Sequence, residues 1–366
     1  MQINYSLYCN CSGYSVAAFD YILAMLDADP NLDIRITCLN NTDWRGISPN
    51  RKQIFKALQN KKNDPDQISI YHSIPYIYRR PPKSNHHIGF SIFETINPPK
   101  EWVRHMNDMN AIITATSFNK NIFEKSGTHK PIYVVPHCFD TRLFNDSVQP
   151  EGRFGKTTFL SIGTWKRRKN WELLIKSFYD GFEMKDNVCL LLKTDNPQAL
   201  KTTVASIKKN GPWRAKPTAP IFTEESTQIN FEDIPKFMRQ GDIYISASSS
   251  EGFGLPLLHS MALGIPVITV RFGGALEFAQ PQYCTYIEPR GYQTVTDMDG
   301  IPQFKNCIWP VLRVSDIKDA MRDVWSNYSE AKSKALKAYE YVHSTYTYKQ
   351  IGPKMIEAIN SVRNKL

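Results

Sequence analysis

No apolar run in this chain is long enough to cross a bilayer: the longest, such as residues 188–192 and 265–270, hold five or six residues where about eighteen are needed. A transmembrane helix is therefore not expected. Residues 1–12 lack a basic start followed by an apolar stretch, so a secretory leader is not expected either. There is no C-x-x-C. The seven cysteines, at 9, 11, 38, 138, 189, 284 and 307, are odd in number and sit mostly in apolar runs, so they read as reduced core residues of a cytoplasmic protein. Internal repeats and low-complexity tracts are absent. With 18 glycines and 23 prolines among 366 residues, 42% hydrophobic and 22% charged, the composition excludes a disordered or fibrous chain.

What is present is enough sequence for two domains at about 150 residues each. The 45 Lys and Arg against 35 Asp and Glu leave a net charge of +10, which favours an anionic partner such as a nucleotide, nucleic acid or an acidic membrane surface. Short β-type runs alternate with helical patterns from the start: a strand over 3–8, a helix over about 15–26, a strand over 34–39. Further strands are expected at 68–71, 88–93, 111–115 and 132–135, with helices near 101–108 and 119–126. This is the pattern of a parallel, helix-covered sheet. The polar stretch 144–158, with Pro150, Glu151, Gly152 and Gly155, reads as a linker. It divides a first domain, 1–150, from a second, 151–345, and residues 346–366 form a last helix that can cross back to the first domain.

The second domain repeats the pattern, with strands at 159–162, 188–192, 243–247 and 265–270. Asn170 is placed to cap a helix that buries Trp171, Leu174, Ile175 and Phe178. Asp316 is placed to cap another bearing Ile317, Ala320, Met321 and Val324.

Ligands of such sheets bind beyond the carboxyl ends of the strands, and two loops there are informative. After strand 243–247 come Ser248, Ser249, Ser250, Glu251, Gly252, Phe253, Gly254, Leu255 and Pro256, then a helix closed by Gly264. A glycine-flanked turn opening a helix offers free backbone N–H groups and the positive end of a dipole, which suit a phosphate. Alone, such a turn often serves packing. After strand 159–162, however, come Gly163, Thr164, Trp165 and four successive cations, Lys166, Arg167, Arg168 and Lys169. A charge run is commonly a solvated face, but here it leaves the same edge of the sheet as the Glu251 loop. A diphosphate fits between the two.

These residues resemble the retaining glycosyltransferases of family 4, also called group 1. The E-G-F-G-L-P core at 251–256 and the later G-I-P-V-I match the donor-site signature of that family, and Gly163 with Arg168, Lys169 and Asn170 is similar to its glycine and basic clamp. Pro136 to Asp140 resembles its P-x-G-x-D, Gly273 to Glu277 its G-G-x-x-E, and Ser12 to Ser15 its first glycine loop. The likeness is strong over 155–280 and loose over 1–130. It implies an α/β protein of GT-B architecture, with two Rossmann-like, doubly wound parallel-sheet domains facing a deep cleft. It also implies a metal-independent, retaining hexosyltransferase without a cofactor. The donor would be a UDP- or GDP-linked sugar and the acceptor a glycan, glycolipid or protein-linked sugar, with room for peripheral membrane contact and no specific nucleic acid.

By the same resemblance Lys169 and Arg168 meet the charge on the departing diphosphate, with the backbone of Gly252, Phe253, Gly254 and Leu255. Glu251 holds sugar hydroxyls, Gly13 lets backbone approach the phosphates, and Glu94, after strand 88–93, contacts the donor sugar. Ser248, Gly163, Thr223 and Glu224 complete the donor site, with base contacts from the backbone of loop 221–226. Three positions depart from the family. His259 stands eight residues after Glu251, where a second glutamate usually holds the ribose; a neutral imidazole has one acceptor where a carboxylate has two oxygens. Thr164 replaces a basic residue, leaving Lys166, Arg167 or Arg168 to supply the second cation, and Cys138 replaces a glycine.

Other features are weaker candidates. His86 and His87 are adjacent in a strand and point to opposite faces, so they do not suggest a metal site. Asp27-x-Asp29, Asp64-x-Asp66 and Asp297-x-Asp299 mimic an ion-binding D-x-D but stand beside proline or glycine and read as turns. An epimerase using the same diphosphate site, a nucleic-acid-binding protein and an inactive nucleotide-binding relative are the alternative functions.

Overall fold

The computed structural model describes residues 2–64, 66–78, 86–152, 154–295 and 304–364. They fall into two units. The first comprises Met1–Thr141, Asn230–Glu232 and His343–Leu366, the second Arg142–Ile229 and Asp233–Val342. The division at 141 precedes the polar stretch 144–158.

In the first unit the elements run β1 (Ile3–Leu7), α1 (Gly13–Ala28), β2 (Ile34–Cys38), α2 (Pro49–Gln59), β3 (Ile68–His72), β4 (His86–Phe90), α3 (Lys100–Asn107), β5 (Ala111–Thr114), α4 (Ser117–Lys125) and β6 (Ile132–Val134). All six strands are parallel, in the order β2-β1-β3-β4-β5-β6. Helices cover both faces of such a sheet, so a strand like β1 is buried along its whole length. Behind it, Arg51 of α2 lies within 3.4 Å of carboxylates of Asp20, Asp140 and Glu232. Burial pushes Asp20 up to about 6 against the pull of Arg51.

The second unit holds β7 (Thr157–Ile162), α5 (Trp171–Gly181), β8 (Val188–Lys193), α6 (Pro197–Asn210), β9 (Ile221–Thr223), α7 (Ile234–Met238), β10 (Ile243–Ser246), α8 (Leu255–Ala262), β11 (Val267–Val270) and β12 (Thr285–Ile287). An antiparallel hairpin of β13 (Tyr292–Val295) and β14 (Cys307–Pro310) follows, then α9 (Val314–Ser326) and α10 (Tyr328–Thr345). Its six-stranded parallel sheet runs β12-β11-β10-β7-β8-β9. Two doubly wound parallel sheets flanked by helices are therefore present. In α5, Trp171, Leu174, Ile175 and Phe178 are each 5% exposed or less, and full burial of such side chains contributes about 1.5–3 kcal/mol apiece.

Several local expectations are corrected. Asp316 is not the cap of α9 but lies inside its first turn, where its carboxylate accepts the N–H of Arg313. Strand β4 ends at Phe90 rather than 93, because the amide of Asn119 takes both backbone groups of Phe93 away from the sheet. Cys9 and Cys38 are not reduced core residues: they form a disulfide. Cys38 ends β2 and Cys9 lies two residues beyond the neighbouring parallel strand β1, which brings their Cα atoms to 5.4 Å, inside the range a disulfide spans. The cysteines therefore carry no argument for a reducing compartment. Among the described residues no helix is long and apolar enough to cross a membrane.

The last helix, α11 (Tyr348–Arg363), lies in the first unit and packs along α1. Contact is close at Gly352, where an added Cβ would stand 2.1 Å from the carbonyl oxygen of Ala24 and 3.2 Å from the Cβ of Ala28. The obstacle is backbone, which cannot rotate aside. Gly352→Ala gains about 1 kcal/mol of helix propensity but forces the helices apart, at about 1–3 kcal/mol or more. A net loss of stability is expected, read as a lowered thermal midpoint; a midpoint at or above wild type would show that the helices do not meet there.

Candidate active site

Strand order places the site. In the second unit the chain runs from β7 to β8 and β9 on one side, then returns to the other side of β7 with β10. Loops leaving β7 and β10 therefore diverge, and the crevice between them is where doubly wound sheets bind ligands. The two loops singled out in the sequence are these two.

Their contacts are specific. The main-chain oxygen of Arg168 accepts the N–H of Ser249 at 2.8 Å. Asn170 has φ 54° and ψ 38° at the start of α5 and makes no side-chain cap bond, which corrects the expected capping role. Its amide instead donates to the carbonyl of Ala247 and the hydroxyl of Ser249, both at 2.9 Å. Asparagine tolerates this left-handed backbone better than most residues, and that tolerance was the available sequence signal.

The stitched loops bring three charges together. Lys169 Nζ lies 2.5 Å from Glu251 Oε1, and Arg168 Nη1 lies 3.2 Å from Glu251 Oε2. Arg168 also donates to the carbonyl of Ser250 at 2.9 Å and to Ser248 Oγ at 3.4 Å. Ser248 is buried and braces Arg168. At Gly163 an added Cβ would meet the Lys169 stem at 3.5 Å, an ordinary contact, so packing does not demand glycine there. Burial alone pushes the Glu251 carboxyl up, but the Lys169 and Arg168 charges outweigh it and hold the group at about 2. The four-cation run thus splits: Lys166 and Arg167 line a cavity of about 480 Å³ with Trp165 and Trp171, while Arg168 and Lys169 turn to Glu251.

Beyond Glu251 the chain enters α8 through Gly254 at φ 97°; the N–H groups of Leu257 and Leu258 both donate to the Gly254 carbonyl, at 2.9 and 3.2 Å, and Pro256 between Leu255 and Leu257 has no N–H. Phe253 is buried against Phe278, ring centroids 5.0 Å apart. Gly273 presses on the Glu251 loop, where a Cβ would stand 2.5 Å from Ser250 Oγ and 2.8 Å from the Glu251 carbonyl oxygen. His259, in the second turn of α8, is 4% exposed and stacks on Phe144 at 4.0 Å. Thr223 ends β9, and the carboxylate of Glu224 accepts the N–H and hydroxyl of Ser226 at 2.9 and 2.7 Å.

Gly13 and Glu94 belong to the first unit. Gly13 opens α1, and a Cβ there would meet no atom within 4 Å, so packing does not demand glycine. Glu94 lies four residues beyond β4 and close to Tyr14; burial first, then the Glu94 charge, push the Tyr14 phenol up. Among the described residues no cluster of three or more His, Cys, Asp or Glu could hold a metal. Asp29 and Asp64 each accept the N–H two residues on, at 3.0 and 2.9 Å, which are turn contacts. Asp297 and Asp299 lie outside the described residues. One buried cation escaped the sequence reading: Lys193, 6% exposed at the end of β8. A lysine closing an otherwise apolar run was its only signal.

Residues 156–295 match the family model described as Glycosyl transferases group 1. Uncharacterized protein 356 of Sulfolobus islandicus rod-shaped virus 1 is 21% identical over 292 residues, 76% of this chain and 77% of that protein. Putative glycosyltransferase 48 of a Sulfolobus islandicus filamentous virus is 29% identical over 120 residues, 31% of this chain and 36% of that one. In structure the chain resembles Anabaena Alr3699/HepE, crystallised with UDP-glucose, with a TM-score of 0.70 at 12% identity over 99% of this chain and 100% of that one. The fold is GT-B, and these likenesses support glycosyltransferase as the class.

Because Glu251 is held below its ordinary value of 4.5, its stabilising contribution is complete above that value and fades as pH falls toward 2. Glu251→Gln is expected to lower stability by about 3 kcal/mol at pH 7, with the gap to wild type narrowing below pH 4.5. Urea unfolding across this range checks it, and a gap independent of pH refutes the pairing.

Proposed function

We propose that this chain transfers a hexose from a UDP- or GDP-linked sugar to a hydroxyl of a glycan, glycolipid or protein-linked sugar, with retention and without a metal. The observation that carries the reading is the pair of cations, Arg168 and Lys169, fixed at the switch point beside the amino end of α8. As the glycosidic bond breaks, the departing diphosphate gains negative charge. Fixed cations and helix N–H groups stabilise that charge more in the transition state than in the ground state. Glu251, ionised at neutral pH, accepts hydrogen bonds from hydroxyls of the hexose. The UDP-glucose complex of the Anabaena relative favours a UDP-sugar.

Retention follows if the acceptor attacks from the leaving-group face and a phosphate oxygen takes its proton, which needs no protein nucleophile. By the family resemblance Gly13 is given the role of admitting phosphate and Glu94 that of contacting the sugar. Thr223 and Glu224 belong to the loop that receives the base. His259 is assigned to the ribose through its ring edge, since Phe144 covers one face. A glycolipid acceptor would bring the chain to a membrane surface, which its charge suits. The epimerase and nucleic-acid readings are not favoured.

Nucleotide release from a panel of nucleotide sugars tests the activity, since slow donor hydrolysis needs no acceptor. Lys169→Ala is expected to lower turnover by about 100- to 1000-fold in a folded protein, and unchanged turnover would remove Lys169 from the site. Two protein cations on the diphosphate also predict activity that persists in excess EDTA. Loss on chelation, restored by Mn²⁺ or Mg²⁺, would instead require a metal.

A further inference from the structure

We propose that Lys193 is a positioning residue for the nucleobase, holding loop 224–227 in the one backbone arrangement that discriminates between bases. The inference rests on the donor-site reading above. Lys193 is the last residue of β8 and is buried. Its ammonium donates to the carbonyls of Ser226 at 2.9 Å, Thr227 at 3.2 Å and Thr194 at 3.2 Å. Those three bonds match the three protons of the group. Burying an ammonium is costly, and a methionine of similar length would fill the same space without that cost. Packing alone does not account for a cation here.

The loop it holds is tethered from a second side. The N–H of Glu224 donates to the carbonyl of Leu192 at 2.9 Å, extending the β8–β9 ladder by one residue. The Glu224 carboxylate then accepts the N–H and hydroxyl of Ser226. With the carbonyls of 226 and 227 drawn to Lys193 and the N–H of 226 drawn to Glu224, the orientation of successive peptide groups is set. Which backbone donors and acceptors the loop presents is thereby fixed.

Position gives this a use. The cation pair sits beyond β7, and β9 is two strands away in the sheet, roughly 10 Å at the usual strand spacing. A ribose with its base spans that order of distance from a diphosphate, so a nucleotide anchored at Lys169 extends along the strand ends toward loop 224–227. Lys193 connects the two places: its carbonyl accepts the N–H of Gly163 at 3.1 Å, where the loop that carries Arg168 and Lys169 leaves β7. A site built to hydrogen-bond a base edge rejects a base whose groups do not match.

Calorimetry with UDP, GDP and inorganic pyrophosphate, on wild type and Lys193→Met, tests the inference. Wild type is expected to prefer one nucleoside diphosphate. Lys193→Met should weaken that ligand by about tenfold or more and bring the UDP-to-GDP ratio toward one, while pyrophosphate affinity stays within about twofold. A folded variant with an unchanged ratio overturns the proposal. So does an equal loss for pyrophosphate, which marks general collapse of the site. If Lys193→Met does not fold, Glu224→Ala removes the outer tether and should produce the same selective loss; undiminished discrimination there also overturns it. Wild type that binds pyrophosphate but no nucleoside diphosphate overturns the base loop and keeps the phosphate clamp, whereas wild type that binds none of the three overturns the donor-site reading itself.

Discussion

A single carboxylate shared by two cations governs the second unit. Glu251 is removed from water, which by itself would favour its neutral form, yet Lys169 and Arg168 hold it ionised. The reverse also holds: without Glu251, two cations would stand side by side in a partly dry crevice and repel each other. The triad requires that the loop after β7 and the loop after β10 meet to within hydrogen-bond distance. The sheet supplies the approach by placing β10 beside β7, and backbone of unusual conformation supplies the rest. Asn170, Gly254 and Gly273 all have positive φ, and each stands where one loop turns toward another. Glycine takes such a backbone without steric cost and asparagine tolerates it better than most residues, so the residue types suit the turns.

The parts of this arrangement that were legible in the sequence are those written in local pattern. Alternation of short β-type runs with helical stripes identified both parallel sheets, and the stripe at Trp171, Leu174, Ile175 and Phe178 is buried as its spacing indicates. The glycine-rich turn at 251–256 and the basic run at 166–169 were visible as residue types at sheet edges. What pattern could not carry was tertiary choice. Residue type alone does not tell which two of four consecutive cations turn inward; the family resemblance singled out Arg168 and Lys169, and their fixing depends on Glu251, more than eighty residues away. The cap residues show the same limit. Asn170 and Asp316 are both good capping types, yet one bonds across to Ala247 and Ser249 and the other sits inside the first turn of its helix. The Cys9 and Cys38 pairing depends on which strands become neighbours, and three-residue strands such as β9 and β12 are too short to show a period.

The half-buried Lys169 and the buried Lys193 solve the problem of a poorly hydrated ammonium differently, and the difference bears on what each can do. Lys169 is matched by a full opposite charge, so it can exchange that partner for a phosphate with little change in the net charge around it. Lys193 is matched by three main-chain dipoles, and burial lowers its proton affinity while Glu224 and Asp195 raise it. Those dipoles belong to the chain and cannot leave without unfolding the loop. A cation with an exchangeable partner suits a ligand whose charge changes during reaction. One locked to backbone suits a fixed template. This difference is consistent with the roles proposed above, Lys169 at the reacting end of a donor and Lys193 at the end that does not react.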